Sequence, residues 1–312
     1  MYRIAAFYKF SPLTAERVTE LKKGLEGAAA RTGVLGLLLL GPEGCNATVA
    51  APTKEGLAEF LGAVREFPEF ADLEHKESES VKRPFRRFKI DLRAELITIK
   101  KSTPPPPTET YLSPREWHNR LSEGGGRLPV VLDVRNDYET ALGVFKGAVT
   151  LPIDKFSQFP EAINAASIPK DSPVLMYCTG GIRCEKAIVE LQQQGFQEVY
   201  QLHGGILKYM EEFPEGHFQG ECFVFDHRVA VDTHLQPTKR YALCPHCGDP
   251  AERRIVCREC GVEAIVCDAC LTSADRYSCS KNCAYHQRRH AARLEAGEQF
   301  DPKIRELNVG KK

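Results

Sequence analysis

The stretch Val174-Leu175-Met176-Tyr177-Cys178-Thr179-Gly180-Gly181-Ile182-Arg183-Cys184 constrains this chain more than any other. Its apolar start reads as a buried strand, and Glu185 to Gln194 has helical character. A strand, a tight loop and a helix N-terminus therefore follow one another, with Cys178 where backbone N–H groups converge. The positive end of the helix dipole and those N–H groups both favour a thiolate. Arg183 adds a positive charge on the same loop. Gly180 and Gly181 let the backbone of Thr179 to Ile182 turn its N–H groups inward as an anion cradle. A buried cysteine at a strand end would need none of these neighbours, so Cys178 is the candidate nucleophile and Arg183 its candidate catalytic partner.

Pro129 to Asp133, Val149 to Leu151, Val174 to Tyr177 and Val199 to Leu202 are short apolar strands with helical stretches between them. That alternation implies a parallel sheet with helices on both faces. Such sheets bind ligands beyond the carboxyl ends of their strands, where Cys178 lies. Asp133 and Arg135 are expected to form an ion pair that fixes the domain, because buried charges need partners. Cys184 has two readings that stay open. It resolves a persulfide or sulfenic acid on Cys178, or it is a helix-start residue facing the core.

The region from about Tyr111 to Phe213 resembles rhodanese domains. Val130-Val131-Leu132-Asp133-Val134-Arg135 with Glu139, Gly147-Ala148-Val149-Thr150-Leu151-Pro152 and Leu202-His203-Gly204-Gly205 carry the resemblance alongside the Cys178 loop. Cys178 to Arg183 has the Cys-x4-Arg spacing of sulfur-transferring rhodaneses. Related phosphatases use a wider Cys-x5-Arg cradle, so a persulfide or small electrophile is expected rather than phosphate.

The N-terminal third reads as βαββαβ, which suggests a ferredoxin-like α+β sandwich over residues 1–101. Strands are expected at Met1 to Phe10, Val34 to Leu40, Ala47 to Ala51 and Leu73 to Glu79. Thr14 and Thr53 are candidate helix caps, and Gly33 a helix stop. Leu57, Phe60, Leu61 and Val64 repeat at helical spacing, so one face of the second helix is buried. Cys45 reads as a buried filler. The segment Val81 to Arg93 holds six basic residues and one acid, with Phe85 and Phe88 between them. Lys82, Arg83, Arg86 and Arg87 are candidate RNA contacts, with the aromatics available for stacking on bases. The same composition also suits a solvated basic edge strand. Residues 102–110, with prolines at 104 to 107, form a stiff linker, followed by the rhodanese-like domain at 111–216.

Eight of the twelve cysteines fall in four tight pairs between Cys244 and Cys283. They are Cys244/Cys247, Cys257/Cys260, Cys267/Cys270 and Cys279/Cys283. Each pair can give two thiolates to one tetrahedral zinc, so two structural four-cysteine sites are expected in a connecting and zinc module over 217–290. Sequential and cross-braced pairing are equally compatible with the spacing, and an iron–sulfur cluster is the lesser alternative. His246, His286 and His290 read as surface residues. A basic tail, 291–312, follows, its start within a basic helix that begins near Gln287. Formal net charge is zero, so nucleic-acid binding must come from local patches. No apolar run is long enough for a membrane span, and no export signal is evident, so a reducing cytoplasm is expected.

Taken together, the chain resembles the rhodanese-domain tRNA uridine hydroxylases. Cys178-Thr179-Gly180-Gly181-Ile182-Arg183-Cys184-Glu185-Lys186 and Val224-Phe225-Asp226-His227-Arg228-Val229-Ala230-Val231 are the most specific marks, with Lys76-Glu77-Ser78 and Pro84-Phe85-Arg86-Arg87 beside them. The resemblance implies oxygen-dependent formation of 5-hydroxyuridine at the tRNA wobble position, with the active cysteine at Cys178. It implies tRNA and molecular oxygen as substrates, an electron donor that no motif names, and neither DNA nor membrane as partner. A sulfurtransferase carrying a Cys178 persulfide and a non-catalytic RNA-binding module are the alternatives. The intact Cys-x4-Arg loop argues against the latter.

Overall fold

The structure is a computed structural model and describes residues 1–100, 108–123 and 128–296. It divides into two compact units, Met1–Thr238 and Lys239–Lys312.

The first unit begins with β1 (Tyr2–Phe10), α1 (Ala15–Thr32), β2 (Leu35–Gly41), β3 (Gly44–Ala51), α2 (Lys54–Arg65) and β4 (His75–Ser80). Thr14 caps α1 by accepting from the Arg17 N–H, and Thr53 caps α2 by accepting from that of Gly56. Leu57, Phe60, Leu61 and Val64 are all buried, as their spacing predicts. The antiparallel order β4-β1-β3-β2 is the expected ferredoxin-like sheet. A fifth strand, β5 (Phe88–Leu92), extends it by pairing parallel to β2.

Strand alternation gives this sheet two distinct faces. Ala5, Phe7, Leu38, Leu40, Cys45, Ala47 and Val49 pack in the core with the helices. The opposite face carries two cross-strand rows. One is Lys76, Ala6, Thr48 and Leu37; the other is Tyr8, Asn46 and Leu39.

The second sheet is built from β6 (Tyr111–Leu112), β7 (Val130–Asp133), β9 (Val149–Thr150), β10 (Val174–Tyr177) and β11 (Val199–Leu202). The elements between are α3 (Pro114–Ser122), α4 (Asp137–Thr140), β8 (Gly143–Phe145) and α5 (Phe159–Ala165). α6 (Ile182–Gln193) and α7 (Gly205–Glu212) complete the set. The sheet is parallel throughout, ordered β6-β11-β10-β7-β9, so the strand leading to Cys178 is central. Val174 and Met176 enter the core on one side, Leu175 and Tyr177 the core on the other. The proline run at 104 to 107 lies outside the described residues.

The chain then adds β12 (Phe218–Gly220), β13 (Cys222–Phe223) and β14 (Ala230–Val231). β12 pairs with β8, and Cys222, Val224 and Val231 join the core around Trp117 and Tyr177. Residues 217–238 thus pack within the first unit.

The second unit contains hairpins β15 (Ala242–Leu243) with β16 (Pro250–Ala251) and β17 (Arg253–Val256) with β18 (Glu263–Val266), then α8 (Asp268–Leu271) and α9 (Lys281–Glu295). The basic helix expected near Gln287 is the second half of α9; residues 297–312 lie outside the described residues. No helix among the described residues is long and apolar enough to cross a membrane.

Candidate active site

Cys178 directly follows central strand β10 and is fully buried. The Gly181 N–H donates to its Sγ at 3.1 Å. Gly181 starts α6 at φ +101°, and a Cβ there would meet the Tyr8 hydroxyl at 2.9 Å, so glycine is required on both counts. Burial works to raise the Cys178 thiol. A hydrogen bond from Cys184, the Arg183 charge and the N–H groups of Arg183 and Gly181 outweigh it and bring the pKa down to about 5. Cys178 is therefore a thiolate at neutral pH. Cys184, also fully buried, is pushed the other way by its burial and by donating to that thiolate.

Arg183 is not a free anion anchor. Its two terminal nitrogens donate to Glu139 at 2.5 and 2.8 Å, and Thr179 Oγ1 donates to the same carboxylate at 3.1 Å. Glu139 sits on α4, next to the turn after β7, and is fully buried. The pair thus ties the loop to the neighbouring strand end. From the other side, Ile206 and Leu207 N–H groups at the start of α7 donate to the carbonyls of Cys178 and Thr179, at 3.0 and 3.1 Å. Asp133 and Arg135 form the expected buried ion pair, a two-pronged one, and Arg135 also donates to the Gly143 carbonyl. Asp226 and Arg228 repeat that geometry, and Arg228 reaches Ser78 on β4 at 2.8 Å.

The N-terminal sheet also reaches the cysteine loop, and the sequence alone assigned those residues no role. Lys76 Nζ donates to the Gly180 carbonyl at 2.9 Å and lies 5.0 Å from the centre of the Tyr8 ring. Burial lowers the Lys76 ammonium to about 8, against the pull of the Cys178 thiolate. The Tyr8 hydroxyl donates to Glu185 at 2.7 Å, and Tyr111 donates to its other oxygen at 2.6 Å. Burial raises the Glu185 carboxyl despite those two donors. The available signal was period-2 placement: Lys76 and Ser78 share the face that carries Tyr8.

A cavity of about 550 Å³ lies between this sheet face and the cysteine loop. Cys178, Thr179, Gly180, Ile182 and Arg183 line one side, and Tyr8, Leu37, Asn46, Thr48 and Lys76 another. Phe225 and Asp226 close a third. Its size falls within the range of small-molecule and cofactor sites.

Lys82, Arg83, Arg86 and Arg87 are exposed just before β5, at the sheet edge. Arg83 is engaged locally, donating to the carbonyls of Phe85 and Arg86. The two phenylalanines are not available for base stacking. Phe85 packs on Ile4 and Ala50, and Phe88 meets Phe60 edge to face. An edge strand needs apolar anchors, and these two residues supply them.

In the second unit the eight cysteines form two clusters: Cys244, Cys247, Cys267 and Cys270; and Cys257, Cys260, Cys279 and Cys283. The pairing is cross-braced, first pair with third and second with fourth. The sulfurs of each cluster lie within 4.8 Å of one another, with Cys247–Cys267 and Cys260–Cys279 at 3.5 Å and Cys260–Cys283 at 3.8 Å. A tetrahedron with metal–sulfur bonds of about 2.3 Å has edges of about 3.8 Å, so both clusters fit a zinc-sized ion. Gly248 and Gly261 follow two of the pairs with positive φ and donate back to the carbonyls of Cys244 and Cys257, closing each turn. Neither cluster includes a histidine, and His246 Nε2 lies 3.0 Å from the Ser278 carbonyl oxygen.

Comparison with known proteins agrees with this layout. Residues 2–96 match the UPF0176 acylphosphatase like domain, 113–212 the Rhodanese-like domain and 219–284 the Rhodanase C-terminal family. The class is thus a rhodanese-type domain flanked by an acylphosphatase-like domain and a cysteine-rich extension. The tRNA uridine(34) hydroxylase of Bdellovibrio bacteriovorus is 46% identical over 295 residues, covering 94% of this chain and 83% of that protein. That of Sinorhizobium medicae is 41% identical, covering 88% of each chain. That of Rhizobium leguminosarum is 39% identical, covering 94% of this chain and 93% of that protein. The chain belongs to the tRNA uridine(34) hydroxylase family.

Proposed function

We propose that this protein hydroxylates C5 of the wobble uridine of tRNA with dioxygen, using Cys178 as nucleophile. The carrying observation is a cysteine held as thiolate on the wall of a cavity large enough for a nucleotide. Relatives named for uridine(34) hydroxylation support the substrate.

Uracil C5 reacts poorly with oxygen by itself. Addition of the Cys178 thiolate to C6 turns C5 into an enolate carbon. Dioxygen then bonds to C5 as a hydroperoxide, and loss of the C5 proton with departure of the Cys178 thiolate restores the ring. That thiolate takes the outer oxygen as a sulfenic acid, which breaks the O–O bond and leaves C5–OH, and Cys184 condenses with it to a disulfide and water. Overall, C5–H, dioxygen and two thiols give C5–OH, water and a disulfide. Cys178 and Cys184 hold those two electrons: Cys184 is the resolving thiol, and a thiol reductant of the cell reopens the bond. Arg183, positioned by Glu139, and the loop N–H groups keep the leaving thiolate stable.

Lys82, Arg83, Arg86 and Arg87 form the basic edge that meets the tRNA backbone. Two zinc ions hold the second unit together through the cross-braced thiolates. The tRNA substrate and the need for reduced thiols support a cytoplasmic location. A persulfide on Cys178 is the second reading, favoured by the Cys-x4-Arg loop length.

Incubating unmodified tRNA with the protein, oxygen and a thiol, followed by nucleoside mass spectrometry, tests the proposal. 5-Hydroxyuridine that disappears in Cys178→Ala is expected. Product that persists in that variant, or a required extra sulfur on Cys178, overturns the nucleophilic role. A tRNA with 5-fluorouridine at the target should trap a covalent adduct on Cys178.

A further inference from the structure

We propose that Asn46, on the N-terminal sheet, reads the hydrogen-bonding edge of the base held in the cavity. This inference rests on the functional reading above, since it takes the occupant to be a uracil.

The sheet face that lines the cavity is mostly apolar around Leu37, Leu39 and Ala6, a surface suited to the flat face of a base. Its polar side chains are mostly occupied. Tyr8 donates to Glu185, Lys76 donates to the Gly180 carbonyl, and Ser78 accepts from Arg228. Asn46 and Thr48 have no side-chain hydrogen bond among the described residues. Of these two, only Asn46 carries a donor and an acceptor in one plane, the pattern that matches the adjacent N3–H and carbonyl oxygen of uracil. A single hydroxyl would have to bend both hydrogen bonds to engage the two groups from one oxygen, whereas an amide meets them with two near-linear ones.

Register places Asn46 well for this task. It is the cross-strand partner of Tyr8, so their Cβ atoms are about 5 Å apart on one face. Tyr8 in turn abuts Gly181, three residues beyond Cys178. The wall across the cavity supplies an independent sign of an absent ligand. Oδ1 of Asn136, in the turn after β7, is buried with no hydrogen-bond partner among the described residues, and Asn136 lines the same cavity. A buried acceptor left unpaired is costly, and a bound nucleotide offers donors for it.

The test is a chemical double-mutant cycle on the full-length protein. Anticodon stem-loop RNA with uridine or N3-methyluridine at position 34 is titrated against wild type, Asn46→Ala and Asn46→Leu. Thermal melting verifies that each variant folds. The methyl group removes the N3 donor, so wild type should bind the methylated loop about 10-fold or more weaker. Both variants should bind the unmodified loop weaker by a similar factor and be nearly indifferent to the methyl group. A wild type indifferent to the methyl group, or a methyl penalty that persists in full in both variants, overturns the proposal. Failure of the functional reading shows separately, as absence of 5-hydroxyuridine from the wild-type reaction.

Discussion

The hydroxyl of Tyr8 donates to Glu185 at 2.7 Å across 177 residues of sequence. Glu185 lies on the first turn of the helix that follows the cysteine loop, and Tyr8 lies on the first strand of the chain. Together with the Lys76 contact to Gly180, this bond makes the N-terminal sheet part of the loop's immediate surroundings. The cysteine is therefore tuned by two folded layers, and its behaviour can be tested from both.

The alkylation rate of Cys178 should rise with pH along a curve centred near 5 and be flat through neutrality. The sign follows from the chemistry: the thiolate reacts, and its fraction increases as pH passes upward through a lowered pKa. Iodoacetamide kinetics read by intact mass check this, with Cys178→Ser as blank. A midpoint near the ordinary thiol value of about 8.5 would contradict the geometry of the loop.

Replacing Lys76 with Met should move that midpoint upward. The Lys76 ammonium and the Cys178 thiolate stabilise one another, so removing the cation disfavours the anion. The same kinetics on the folded variant measure the shift. An unchanged midpoint would mean that Lys76 only supports the loop backbone.

Glu139→Gln should destabilise the first unit by roughly 3–5 kcal/mol, because it strands the buried Arg183 charge. Urea titration followed by fluorescence gives the value. Glu139→Gln combined with Arg183→Met should recover part of the loss, since the second change removes the uncompensated charge.

Cross-bracing has a distinctive signature in metal content. Cys247→Ser with Cys270→Ser removes two ligands from one cluster and none from the other, so about one zinc per chain should remain. Sequential pairing would place those residues in different sites and damage both. Elemental analysis of the purified variant separates the two outcomes.

Lys82, Arg86 and Arg87 replaced together by Ala should weaken tRNA binding and flatten its salt dependence, by about 0.9 in the log–log slope per lost phosphate contact. Arg83 is best tested alone, since its guanidinium holds the turn before β5. Equal affinity and slope in the triple variant would leave this edge a solvated surface.

Features set within about ten residues were legible in the sequence. The strand, loop and helix around Cys178, the caps at Thr14 and Thr53, and the apolar stripe of α2 all depend on near neighbours. The same holds for cysteine pairs with two or three residues between them, whose spacing alone puts both sulfurs on one turn. Alternation likewise told which side chains of a strand share a face. It could not tell what covers that face, and so Tyr8, Asn46 and Lys76 stayed without a role until the cysteine loop was seen against them. Glu139 as the partner of Arg183, Phe85 and Phe88 as core rather than stacking surfaces, and the cross-braced choice between two equally spaced zinc pairings share one cause. Each depends on groups brought together by packing over long sequence separations, where many partners have compatible chemistry and only the closed fold selects one.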